Sequence, residues 1–290
     1  MKNRDLVLFI FELKKILGQK KSFLFLLTLN IIPIMATVGL IILFVKCYSF
    51  GLPPATVKGL FEAIKVGFKT HYTLFACLAP FILALIIGDS FCTEFNKGYM
   101  KMLLLTPIKR IDIILAKSLA ILTFLIIATL FGGVLLQCDL ILTNLILNKI
   151  PTEAVASFSL ISVSSAFKLL LIAVIGNLLT ASFLVFVALF FESATVMAVS
   201  SSFTLMIIFG IHLATPLLTQ IYKWLEYVEN INFTRHLSTI FSPNTISQIC
   251  DGKMSVFTGE VFYNCMYALL WSAIFFALST LVFSRKHILH

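Results

Sequence analysis

The stretch FKLLLIAVIGNLLTASFLVFVALFF, residues Phe167–Phe191, decides the fold class. Its only charge is Lys168, and its only side-chain amide is Asn177, beside Gly176. As a helix it is about 37 Å long at 1.5 Å per residue, enough to cross a hydrocarbon core of about 30 Å. Helix is the form to expect, because lipid offers the backbone no hydrogen-bond partners and every N–H and C=O must be satisfied within the segment. A β-barrel would show short alternating stretches instead.

Five more segments share this character: Ser22–Val45, Thr73–Phe91, Ile113–Leu136, Ala194–Thr215 and Val261–Phe283. Leu140–Leu147 is apolar but too short to span, and is expected in a loop or at the interface. Composition agrees. The chain is 60% hydrophobic and 12% charged, with a mean hydropathy of +1.04, whereas a soluble domain carries about 25% charged residues. So little charge cannot cover a globular surface, so much of the outside must face lipid. The expectation is an all-α membrane protein of six transmembrane helices, forming one membrane domain over residues 1–290.

Orientation follows from Lys and Arg near the span ends. Lys2, Arg4, Lys14, Lys15, Lys20 and Lys21 precede the first span; Lys97, Lys101, Lys109 and Arg110 follow the second; Arg285 and Lys286 follow the sixth. With six spans these fall on one side, which places both termini in the cytoplasm. Lys46, Lys58, Lys65 and Lys69, in the first outer loop, oppose this bias. No cleavable signal peptide is expected, since charges recur up to Lys21 and the first apolar run is long enough to span. The net charge of +9 is explained by topology and anionic headgroups, and nucleic acid is not an expected partner.

Two amphipathic stretches flank the spans. In residues 1–21, Leu6, Phe9, Ile10, Leu13, Ile16 and Leu17 repeat at helical spacing, with Glu12, Lys14, Lys15 and Gln19 largely off that face. Such a helix can lie in the headgroup plane of the membrane lipids. Gly18 favours a break before the first span. Between residues 216 and 260, Leu217, Leu218, Ile221, Trp224, Leu225 and Val228 form a second stripe, and Ser242-Pro243-Asn244 and Asp251-Gly252 are turn signals. Short surface helices or a re-entrant pair are expected there, before the last span.

Motifs for catalysis are missing. There is no G-x-x-x-x-G-K-[ST] to cradle a phosphate, no H-E-x-x-H and no G-x-S-x-G. Cys47, Cys77, Cys92, Cys138, Cys250 and Cys265 form no C-x-x-C pair, and His71, His212, His236, His287 and His290 have no ligand spacing, so no metal is expected. The chain is not expected to be an enzyme or to hold a cofactor of its own.

The loop after the second span is the informative exception. It runs Gly88-Asp89-Ser90-Phe91-Cys92-Thr93-Glu94-Phe95-Asn96-Lys97-Gly98, then Tyr99 to Leu105, Thr106-Pro107-Ile108-Lys109-Arg110, and Ile113-Ile114-Leu115-Ala116-Lys117. Asp89 and Glu94 sit at the inner end of a span, where a buried acid is costly unless paired or solvated. Gly98 permits a turn. A short apolar helix then stops at Thr106-Pro107, because proline disfavours helix in the residue before it. An acid cap with an ordinary turn accounts for these features as well as a docking surface does.

Glu94, Gly98, Leu103-Leu104, Thr106-Pro107-Ile108, Arg110 and Leu115-Ala116-Lys117 match, in order, E-x-x-x-G, an apolar pair, [ST]-P-[IV]-x-[RK] and I-[LI]-L-[AG]-K. This pattern resembles the permeases of the type-2 ABC transporter family. The amphipathic start, Phe241-Ser242-Pro243 with Gly252, and the close Phe283-Ser284-Arg285-Lys286-His287-Ile288 resemble that family too, with His287 standing where an acid is usual. The resemblance covers nearly the whole chain. It implies a permease subunit of an exporter in a bacterial cytoplasmic membrane. Two such subunits pair, as a homo- or heterodimer, and each docks a separate ATP-binding cassette subunit that holds ATP and Mg. Residues 95–110 would be the coupling loop, with Glu94, Gly98, Leu103, Leu104, Thr106, Pro107, Lys109 and Arg110 linking it to the ATPase.

Ala194, Ala198 and Ser202 repeat every four residues in the fifth span, a spacing that lets helices approach closely in lipid. They suit a dimer interface or packing within one subunit. Asn177 suits a substrate path or a hydrogen bond between helices. A transporter driven by an ion gradient is the alternative function, although such proteins carry intramembrane acids and internal repeats. A membrane anchor or scaffold without transport is a further one.

Overall fold

The computed structural model describes residues 3–49, 80–94, 97–105, 108–147, 163–218, 227, 230–240, 242–250 and 259–285. Among the described residues all regular structure is helical. In chain order the helices are α1 (Asn3–Leu17), α2 (Lys20–Ser49), α3 (80–94), α4 (Tyr99–Leu105), α5 (Arg110–Leu147), α6 (Val163–Ala188), α7 (Ala194–Leu218), α8 (Phe233–Ile240), α9 (Pro243–Cys250) and α10 (Gly259–Arg285).

Three of them are long and apolar enough to cross a membrane over Arg110–Gly132, Phe167–Ala188 and Gly259–Arg285. These lie in α5, α6 and α10, which pack together, with α1 laid along α5. The first and fifth predicted spans are continuous helix, as α2 and α7, and the second is helical from residue 80. The buried core joins Leu83, Ile86, Ile87 and Phe91 of α3 to Ile113, Ala120 and Phe124 of α5, Leu179 and Leu184 of α6, and Met197 of α7.

Local chemistry explains several boundaries. Gly18 ends α1, and its N–H closes the last turn on the Lys14 carbonyl at 2.9 Å. The helices α8 and α9 fall in the segment where two short ones were expected. Proline suits a first helical position, where its missing N–H costs nothing, and Pro243 opens α9 in this way. Ser242 caps the same end, its hydroxyl accepting from the Thr245 N–H at 3.1 Å. Phe233, at the start of α8, packs on Phe183 and Phe275 with ring centroids 5.4 Å away in each case. Phe275 lies sixteen residues, or about 24 Å, into α10. His236, three residues after Phe233, meets Asn264 and Tyr267, nearer the start of α10, so α8 runs back toward that end. The Leu217–Val228 stripe and the Asp251-Gly252 turn lie largely outside the described residues.

One expectation is corrected. Leu140–Leu147 is not a separate loop or interface segment but the continuation of α5, a single helix of 38 residues. Neither Gly132-Gly133 nor Asp139 breaks it.

At Gly88, α3 passes close against the start of α7. A Cβ there would sit 3.1 Å from both the Cα and the carbonyl oxygen of Ala194. Ala194 and Ala198 are themselves buried within the single chain, and Ser202 is half-buried. Gly88→Val is expected to cost about 1–3 kcal/mol through overpacking. It should lower the unfolding midpoint in detergent, while an unchanged midpoint would show that the contact relaxes freely.

Candidate functional site

The site is assembled from three helices that meet beneath the loop. In α1, Leu8, Glu12 and Ile16 follow one another at four-residue spacing and share a face. That face turns inward, and all three are buried, Glu12 to 1% exposure. In α5, Lys117 lies four residues after Ile113 and four before Ile121, on the buried side of the helix. In α3, Glu94 closes the last turn and is also buried.

The Lys117 ammonium donates to Glu12 Oε1 at 2.9 Å, Glu94 Oε2 at 2.7 Å and the Ser90 carbonyl at 3.0 Å. An ammonium has three N–H donors, and all three are used. Its Nζ also lies 5.6 Å from the Phe91 ring centroid. The other oxygen of Glu94 pairs with Lys15. Two acids and two bases thus form a charge-balanced group, which is how a buried carboxylate near a membrane becomes tolerable. Burial holds the Lys15 ammonium below the usual lysine range, helped by the Lys117 charge and opposed by Glu12. A second bridge, Lys21 to Asp89 at 2.7 Å, ties α2 to α3 nearer the surface.

The loop grows directly from this group. The Lys97 N–H closes on the Thr93 carbonyl at 3.0 Å, and Gly98 turns the chain with φ 74°, a conformation that other residues adopt only at a cost. In α4, Leu103 packs inward, as does Ile108 beyond it. Tyr99, Met102 and Leu105 point out, with Leu105 80% exposed. Arg110 donates to the Ser284 carbonyl at 3.2 Å, which ties the loop's exit to the end of α10. Lys109 is exposed. Thr106, Pro107 and the Leu104 side chain lie outside the described residues. Between α1 and α4 is a cavity of about 580 Å³, lined by Phe11, Tyr99 and Met102 above Glu12, Lys15 and Glu94. Asn177 is buried within the chain at 1% exposure, away from this group.

Of the residues singled out in the sequence, the structure brings Glu94, Gly98, Leu103 and Arg110 into one loop assembly. Glu12, Lys15 and Lys117 were not assigned to it. The signal was present: Glu12 and Lys117 each interrupt an apolar stripe at its centre, with apolar residues four positions either side. A second polar cluster was also missed. His236 of α8 is buried, with Nδ1 2.6 Å from Asn264 Oδ1 and its ring stacked 4.4 Å from that of Tyr267.

Apolar spans and a loop locked to its helices by buried charge mark an integral membrane protein, helical throughout its regular structure among the described residues. The family model described as "ABC-2 family transporter protein" matches residues 12–288, and the chain belongs to that family. No curated protein matches it.

Proposed function

We propose that the chain is the permease subunit of an ATP-driven exporter, working as a pair and powered by separate ATP-binding subunits that hold ATP and Mg. In this reading it crosses a bacterial cytoplasmic membrane six times with both termini inside, and the start of α8 re-enters from the outer face. The chain itself carries out no hydrolysis. The helix α4 is the coupling element: it presents Tyr99, Met102 and Leu105 to the ATPase, with Lys109 and Arg110 at its exit.

The observation that carries this reading is the fixing of an outward-facing apolar helix to three others through Glu94. A loop that served only to connect spans would not need a buried ion-pair group at its root. Pairing is assigned to α7. Its small residues Ala194 and Ala198 are occupied within the chain, but Val196, Val199, Phe203 and Met206 are each at least half exposed on it. That bulky apolar face is left uncovered by the described residues of this chain, and it is the face assigned to a second permease.

One preparation tests both parts. The tagged chain, isolated in mild detergent from its native membrane, is expected to carry an ATP-binding subunit and Mg-dependent ATPase activity. A Phe203→Cys variant should form a disulfide-linked permease pair on oxidation. Recovery of the intact chain with no ATP-binding protein would sink the transport reading. A complex that retains its ATPase but fails to cross-link would reject the α7 face alone.

A further inference from the structure

The three helices α5, α6 and α10 meet without closing on one side. Between them is a cavity of about 370 Å³, walled by Leu122, Leu125, Ala181, Val185, Ala273 and Phe276. It exists because small residues face one another there. Two of its three hydroxyls are withdrawn: Ser182 donates to the Leu179 carbonyl at 2.8 Å and Ser272 to the Ala268 carbonyl at 2.7 Å, while Ser118 Oγ lines the space with no hydrogen-bond partner among the described residues. Apart from that one hydroxyl, what remains is a hydrocarbon-lined space. Leu119 and Leu269, which also line it, are 38% and 39% exposed, so it opens on the outer surface of the helices. These are the same three helices that are long and apolar enough to span, so what reaches the opening is lipid rather than water.

The position of the groove selects which lipid. It runs along α5 from Leu115 to Leu125. At 1.5 Å per residue, that is from about 8 Å to about 22 Å beyond Arg110. Half of a hydrocarbon core is about 15 Å. With Arg110 at the α4-side boundary, the groove therefore begins about halfway into that leaflet and continues past the midplane. At the α4-side boundary the ends of these helices carry Lys109, Arg110 and Arg285, against the acids Asp112 of α5 and Glu192 just past α6. Arg110 and Arg285 are neighbours, because the Arg110 guanidinium reaches the Ser284 carbonyl. The charge there suits a phosphate, and the apolar groove above it suits a chain.

We propose that this groove binds one acyl chain of an anionic glycerophospholipid from the α4-side leaflet, with its phosphate held by the Arg110–Arg285 pair and Lys109. An apolar space between packed helices is costly to leave empty, and an acyl chain fills it without exposing a polar group. The lipid would act as a wedge that sets the spacing of α5, α6 and α10.

Native mass spectrometry of the chain, purified and then reconstituted with equal phosphatidylglycerol and phosphatidylcholine, tests this. The expected result is a retained phosphatidylglycerol adduct that survives repeated detergent exchange. Ala273→Phe, which fills the groove, should abolish it, whereas Leu270→Phe, on a surface position outside it, should not. Arg285→Gln should keep a lipid bound but erase the headgroup preference. Because Ala273→Phe could fail to fold, a phosphatidylglycerol carrying a photoreactive group in one chain is used with the unmodified protein. It should label the peptides around Leu122, Ala181 and Ala273 above the exposed face of α7. Equal retention by Ala273→Phe, or labelling spread evenly over α7 and the groove, would overturn the proposal and leave ordinary annular lipid.

Discussion

Lys117→Met is expected to destabilise the protein by about 3–5 kcal/mol, the range measured when one partner of a buried ion pair is removed. Methionine keeps most of the length and volume of the side chain, so packing is little changed. What is lost is the one cation that touches both Glu12 and Glu94 while almost wholly withdrawn from solvent. Lys15 still neutralises Glu94, but Glu12 is left buried at 1% exposure with no other basic partner among the ion pairs described. A triple variant, Lys117→Met with Glu12→Gln and Glu94→Gln, removes the uncompensated charges and should recover much of the loss, since replacing a whole buried pair is far milder than breaking it. Unfolding in detergent, followed by the fluorescence of Trp271 in α10, measures both. A single variant as stable as the native chain would mean that the ion-pair group does not hold α1, α3 and α5 together.

The second large effect is expected in the loop. Insertion of one glycine after Leu104 should cut transport by about 5–150-fold, the range of a lost coupling free energy of about 1–3 kcal/mol, while the partner ATPase goes on hydrolysing ATP. The helix α4 has only seven residues and is held from inside by Leu103. One added residue leaves Leu103 in place and turns everything after it by about 100° around the helix axis. Leu105 then leaves the exposed side it shares with Met102, and the Arg110 contact with Ser284 falls out of register. Charge reversal at Lys109 and Arg110 should act in the same direction without changing length. Transport and hydrolysis measured on the same proteoliposomes separate the outcomes. If both fall together, the insertion has removed docking rather than coupling; if neither falls, α4 is not the coupling element.

Much of the architecture was legible because it rests on backbone chemistry. The break at Gly18, the turn at Gly98 and the start of α9 at Ser242-Pro243 all follow from residues with few conformational choices. What the sequence could not separate was which apolar face of a helix meets protein and which meets lipid. In water the two differ, because only one is hydrophobic. In a bilayer both are. In α1, Leu6 and Ile10 remain exposed while Leu8 and Ile16 are buried, and nothing in their side chains distinguishes the pairs. The apolar stripe therefore held Phe9, Leu13 and Ile16, which pack on the core, together with Leu6, Ile10 and Leu17, which stay exposed, and it left out Glu12 on the buried side. The small residues of α7 present the same ambiguity, since close approach serves a neighbour within the chain as well as one outside it. The candidate site was half legible. Glu94 stood out as an acid at a span end, but its partners Lys15 and Lys117 are far from it in sequence. They lie on helices whose mutual rotation periodicity does not specify.

The length of α5 has a mechanical consequence. Its 38 residues make a rod of about 57 Å, nearly twice the hydrocarbon thickness. Lys117 anchors it near one end, with about 45 Å of unbroken helix from there to Leu147. In the proposed reading, a swing of about 10° around that anchor would move the far tip by about 8 Å, so a small displacement at the loop would be magnified at the far end of the helix.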